Sequence, residues 1–122
     1  MAKIDKSIEI SPRYRTIFID EPWGDTVYII VEDFKSIIRI QYYIGENEAY
    51  LGSLFVDEMY RKMGRCKHIL DEATRICKVS GFTSVYLWCY KNAWVRKWYQ
   101  RLGFKEDNSR DNESMWMSKV IE

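Results

Sequence analysis

The chain has 122 residues, of which 47% are hydrophobic and 16% aromatic. That is enough apolar side chain for one domain with a real core, so disorder is excluded and a single unit over 1–122 is expected. Nineteen Lys and Arg against eighteen Asp and Glu nearly cancel. No global basic footprint for nucleic acid or an anionic membrane exists, and any cationic surface must be local.

MAKIDKSIEI at the start lacks the apolar core of a signal peptide, and no run approaches the ~20 apolar residues of a membrane span. A soluble, cytoplasmic protein without a membrane partner is expected. Cys66, Cys77 and Cys89 are odd in number and lack a C-x-x-C spacing, which reads as reduced thiols rather than a disulfide framework.

In chain order, YRTIFID (14–20) reads as a strand whose partner the pattern does not identify. TVYIIVED (26–33) and SIIRIQYYI (36–44) follow, the latter with Ile38, Ile40, Tyr42 and Ile44 alternating with Arg39, Gln41 and Tyr43. The turn GENE leads into AYLGSLFV (49–56), and these three segments predict a meander.

After residue 60 the period changes from two to 3.6. Cys66, Ile69, Leu70, Ala73, Ile76 and Cys77 share one helical face, with Lys67, His68, Asp71, Glu72, Arg75 and Lys78 on the other, up to a stop at Ser80 and Gly81. TSVYLWCY (83–90) is apolar on both faces, as a central strand would be. Asn92 is a good N-cap for a second helix with the stripe Val95, Trp98, Tyr99 and Leu102, ended by Gly103. The polar loop EDNSRDNES precedes a last strand, MWMSKVI. Strand, helix, strand over 49–90 has the length of a right-handed crossover, so its two strands should be parallel neighbours in a largely antiparallel sheet.

Two stretches carry chemistry. YRKMGRCKHIL (60–70) sets a glycine and four cations at the mouth of the first helix, where exposed N–H groups, Arg and Lys suit a phosphate. NAWVRKWYQRLGF (92–104) sets an asparagine before a helix that ends in an aromatic pair and Leu-Gly-Phe. Taken singly, Gly64 reads equally as a turn residue, Asn92 as a helix cap, Tyr99 as core and His68 as an exposed residue. His68 is the only histidine, so no metal site is expected.

Together and in register, these elements resemble the GNAT N-acetyltransferase superfamily over about residues 26–121. The family's acyl-CoA signature is Arg or Gln, two residues, Gly, one residue, then Gly or Ala, after a strand ending in Val. Here Val56 and DEMY precede Arg61, Lys62, Met63, Gly64, Arg65 and Cys66; Cys66 stands where the family has Gly or Ala so that backbone can approach pyrophosphate.

The resemblance implies an α/β (α+β) fold with a mixed, mostly antiparallel sheet. Its central parallel pair is splayed around acyl-CoA, helices lie on both faces, and residues 49–104 form the acyl-CoA core. It implies acetyl-CoA as acyl donor and an amine acceptor, on a small molecule or on a protein or peptide. Backbone groups of Leu54, Phe55 and Val56 would hold pantetheine and polarise the carbonyl. Arg61, Lys62, Arg65 and Lys67 would neutralise phosphate. Asn92 would bond pantetheine, and Tyr99 would protonate the departing thiolate. The base is open among Tyr50, which stands where some relatives carry Glu, and Glu48, Asp57, Glu58 or water.

Family members insert two helices between their first two strands. Residues 1–25 show no helical period, so a more open acceptor site is expected, suited to an exposed amine or to a small acceptor held at a homodimer interface. Two alternatives remain: a non-catalytic GNAT-fold module that binds acyl-CoA or a protein, and a single-stranded nucleic-acid surface on KNAWVRKWYQR.

Overall fold

The alternation read from the sequence is realised as a meander. In the computed structural model, which describes residues 2–31, 36–56, 65–91, 93–110 and 115–122, β1 (Tyr14–Glu21), β2 (Gly24–Val31), β3 (Ser36–Tyr43) and β4 (Glu48–Val56) pair successively antiparallel. The unassigned partner of the first strand is thus β2, reached through the tight link at Pro22 and Trp23. Then come α1 (Arg65–Val79), β5 (Ser84–Trp88), α2 (Trp94–Arg101), β6 (Lys105–Glu106) and β7 (Trp116–Val120). The strand order is β1-β2-β3-β4-β5-β7-β6, with β4 and β5 parallel. The short β6, inside the stretch read as a loop, pairs antiparallel with β7.

Period-two alternation gives the sheet two unlike faces. One carries Val27, Ile29, Ile38, Ile40, Ala49 and Val85, all fully buried, and α1 lies across it, touching β2, β3, β4 and β5. Truncating one of these isoleucines to Ala costs about 2–5 kcal/mol by the usual response of packed cores.

The route from β5 through α2 to β6 repeats the β4–α1–β5 crossover in the same direction along the sheet. Right-handed crossovers of that kind place both helices on the same face. Accordingly Phe104, just after α2, lies 5.9 Å from the Lys119 ammonium, and Lys119 pairs with the core residue Val85. The described helices therefore cover one face. A covered second face would need the helix pair that the N-terminal residues do not form.

Both helices end as their sequences require. Gly81 (φ 95°) and Gly103 (φ 99°) sit in the left-handed region. The amides of Gly81 and Phe82 donate to Lys78 and Cys77, and those of Gly103 and Phe104 to Gln100 and Tyr99, the paired bonds of a Schellman cap.

One residue of the polar helix face is not solvated. Glu72 is 7% exposed because the N-terminal segment crosses it: the Ser11 amide donates to Glu72 at 3.0 Å, and Arg75 bonds both Glu72 and the Glu9 carbonyl. β5 also departs from expectation. Its inner face is buried, but Trp88 on the outer face is 41% exposed.

Candidate active site

The central feature is a parting of the sheet. β4 and β5 pair only at Glu48↔Ser84, Ala49↔Val85 and Tyr50↔Tyr86. Beyond Tyr50, among the described residues, β4 has no strand neighbour on that side, although it continues to Val56. Among the described residues no strand pairs with its backbone N–H and C=O groups on that side.

A bulge coincides with the parting. From Arg39↔Gly52 to Ile37↔Phe55, β3 advances two residues while β4 advances three. The extra residue is accommodated at Ser53, the one non-glycine residue with positive φ (52°) among those described. Such bulges bend a strand and sharpen its twist. Gly52 could have flagged it, because glycine inside a strand often marks a bulge. Leu54 is half-buried against the core and Phe55 is 51% exposed.

α1 begins at Arg65, shortly after the end of β4, with no acidic residue in its first turn. Its N-terminal partial positive charge is not offset by an acidic side chain of that turn. Cys66 is half-buried there, and no disulfide joins the three cysteines. Lys67 is engaged in an exposed pair with Asp71 at 2.7 Å. Arg61, Lys62, Met63 and Gly64, the base candidates Asp57 and Glu58, and Asn92 lie outside the described residues. The structure gives α2 its N-cap at Ala93, which makes no side-chain capping bond.

Tyr99 is buried, at 9% exposure, with its ring 5.2 Å from Trp98 and 5.7 Å from Phe104. Burial pushes its phenol well above the ordinary value, helped by Cys66, Cys89 and Tyr50 nearby. That neighbourhood brings together the proposed thiolate donor, the start of α1 and the tyrosine at the base position. Arg96 holds the entry to α2: it is 5% exposed, donates to the Cys89 carbonyl at 3.0 Å and pairs with Glu106 at 3.0 Å.

The uncovered face joins the base candidates Tyr50 and Glu48 to residues that the sequence reading missed, Tyr86, Trp116, Asp107 and Arg110. Tyr50, Tyr86 and Trp116 form an aromatic group. Arg110, from the loop before β7, lies over Tyr86 and pairs with Glu48 and Asp107. Glu48, as a base candidate, is therefore held by a guanidinium. The Ser109 hydroxyl, joined by the Ser109 amide and Arg110, keeps the Asp107 carboxyl below the usual carboxylate range against the opposing effect of burial. Strand alternation could have grouped the aromatics, but Arg110 in a polar loop gave no signal. A concavity of about 720 Å³ lies at the β1–β2 hairpin end of the sheet, lined by Lys3, Lys6, Asp20 and Asp25, and holds none of the motif residues.

Among the described residues no group of His, Cys, Asp and Glu could hold a metal ion, and no helix is long and apolar enough to cross a membrane.

A mixed sheet that parts at its parallel pair, with a helix starting just past the parting strand, is the GNAT fold. A sequence profile of the acetyltransferase (GNAT) family matches residues 7–104. The chain belongs to this family of acyl-group transferases. Solved structures agree on the fold. A GNAT-family acetyltransferase from Staphylococcus aureus Mu50 is 21% identical, with 80% of this chain and 68% of that one covered at a TM-score of 0.64. The PaiA N-acetyltransferase of Thermoplasma acidophilum, in complex with coenzyme A, is 24% identical over 78% and 59% of the two chains, with a TM-score of 0.63. The ribosomal-protein-S18-alanine N-acetyltransferase of Escherichia coli is 19% identical over 91% and 71%, with a TM-score of 0.62. Among curated proteins no sequence matches.

Proposed function

We propose that residues 1–122 form one N-acetyltransferase domain that moves an acetyl group from acetyl-CoA to a primary amine, on a small molecule or on a protein or peptide, by direct attack. The observation that carries this reading is the parting of β4 from β5 after Tyr50↔Tyr86. It leaves a strand edge inside a sheet, and α1 begins shortly after that strand in the chain. A thioester on a pantetheine arm can pair with the backbone of Leu54, Phe55 and Val56, and its pyrophosphate can meet the turn from Arg61 to Lys67 and the helix dipole. Family membership and a fold neighbour in complex with coenzyme A support the same donor.

In this reading the amine nitrogen attacks the thioester carbonyl, the C–S bond breaks and the nitrogen loses a proton to a base. The CoA sulfur leaves as thiolate and takes a proton from Tyr99 or from water. Asn92 would bond the pantetheine amide. The reading takes the protein to work in the cytoplasm, with the open second face receiving the acceptor, alone or at a homodimer interface.

Cys66 at the Gly or Ala position of the signature and the lack of a helical period in residues 1–25 favour a second reading, a GNAT-fold module that binds acyl-CoA or a protein without transfer. Nucleic-acid binding by KNAWVRKWYQR is weakened because Arg96 and Tyr99 are buried, although Trp94 is 81% exposed. The test is release of CoA thiol from acetyl-CoA with alkyl amines, amino acids, aminoglycosides and lysine peptides, beside calorimetric titration with CoA. Thiol release that depends on an amine supports transfer. CoA binding without release with any amine supports the module.

A further inference from the structure

On the uncovered face, near the start of β4, a concavity of about 550 Å³ is lined by Glu48, Tyr86, Asp107, Ser109, Arg110 and Trp116. Two of these, Tyr86 and Trp116, are aromatic and 5.7 Å apart, and Tyr50 packs on them at 5.4 and 6.0 Å. A cation already sits there. The Arg110 guanidinium lies 3.5 Å from the Tyr86 centroid, paired with Glu48 and 3.3 Å from Asp107. Two carboxylates against one guanidinium leave a formal charge of −1. The Arg110 Nε is shielded from solvent and makes no hydrogen bond to any described residue. The internal cation is held by a hydrogen bond from its terminal nitrogen to Glu48, by the charge of Asp107 and by the ring face, and a ligand cation could satisfy the same groups.

The location fits an acceptor. Glu48 precedes by three residues the point where the strands part, which is about 10 Å along a strand at roughly 3.3 Å per residue. Between the two runs the Tyr50 and Tyr86 wall, an apolar surface on which an alkyl chain can lie.

Resting on the N-acetyltransferase reading, we infer that this concavity is the subsite for a second positive charge on the acceptor, and that the acceptor is an alkyl diamine. Its reacting nitrogen sits at the parting of the strands. Its distal ammonium takes the place of the Arg110 guanidinium between Glu48 and Asp107. Arg110 is then an internal competitor that keeps the two carboxylates compensated while the acceptor is absent.

The experiment compares kcat/KM for hexylamine and hexamethylenediamine at saturating acetyl-CoA. The diamine should be preferred by about tenfold or more, the effect of one charge-assisted contact, and added salt should erode the preference. Asp107→Asn should bring the ratio of the two amines towards one, while Arg110→Gln should raise it. The ratio cancels changes in the amount of folded enzyme, and either variant alone is decisive if the other fails to fold. Equal use of the two amines, or a diamine preference that falls in Arg110→Gln, overturns the inference. Calorimetric titration of hexamethylenediamine onto the CoA-bound protein separates the two levels. Binding that Asp107→Asn abolishes, without turnover of any amine, sustains the subsite and rejects acetyl transfer.

Discussion

Tyr99→Phe separates a chemical role from a packing role at one atom. The ring is buried and packs against Trp98 and Phe104, and phenylalanine keeps both contacts. Only the hydroxyl is removed, so the stability change should not exceed the ~1 kcal/mol typical of a single hydrogen bond, at most a few degrees in Tm for a chain this size. If the hydroxyl serves the leaving thiolate, turnover should fall by about 10²-fold, the low end for general acid catalysis and about 2.7 kcal/mol of barrier. The low end is expected because burial raises the phenol pKa well above the ~8.5 of a thiol, which makes complete proton transfer uphill. The hydroxyl would then act mainly by sharing its proton as the C–S bond lengthens. A donor with a raised pKa also stays protonated throughout the range below about pH 10, so it should impose no alkaline limb on kcat there. Thiol-trapping of released CoA gives the rate, and a thermal melt in the same buffer gives the folded fraction. A lower Tm with unchanged turnover per folded molecule would refute the donor role and leave water to protonate the thiolate.

The anion site at the head of α1 gives a second expectation: Gly64→Val should weaken CoA binding and Cys66→Gly should preserve or strengthen it, by calorimetric titration. Unchanged affinity in folded Gly64→Val would move the cofactor elsewhere. Gly103→Ala forces a side chain into φ 99°, with its Cβ 3.3 Å from Lys119, and should lower Tm by a few degrees, on the order of 1 kcal/mol; an unaltered melt would contradict the cap assignment. Burial raises the pKa of Cys77 and Tyr99, and burial with the Asp25 bond raises that of Tyr42. The folded values lie above the unfolded ones, so this stability is intact below about pH 8.5 for the thiol and about pH 10 for the phenols, and is lost as pH rises further. Urea midpoints should decline from about pH 8.5 upward, and a flat profile to about pH 11 would show these groups accessible in the folded state.

Elements with a strong period were legible from residues alone. Ile38, Ile40 and Tyr42 alternate because one sheet face is buried, and Ile69, Ala73 and Ile76 repeat because one helix face is. The Leu-Gly-Phe ending needs no functional explanation, since Gly103 supplies the left-handed turn and Phe104 packs back on Tyr99. What the pattern could not carry is contact between distant segments. Glu72 and Arg96 look like solvated charges in their helices. They are buried because Ser11 and Glu106, 61 and 10 residues away, reach them. The Glu48 to Arg110 pair spans 62 residues and depends on which face a polar loop folds over. Likewise β5 reads as buried on both sides because Tyr86 and Trp88 are apolar, although one side is open.

The short β4–β5 pairing also has a mechanical side. The sheet is two half-sheets, β1 to β4 and β5 to β7, stitched by three rungs and braced by α1. Such a seam opens at lower free energy than the fully laddered strands beside it, so amides of residues 51–56 that face the gap should exchange with solvent sooner than those bonded to β3. A ligand arm lying along that strand would supply the missing rungs and slow this exchange. The ligand would then be a structural member of the sheet while it is bound, and its departure would return the seam to its looser state on every catalytic cycle.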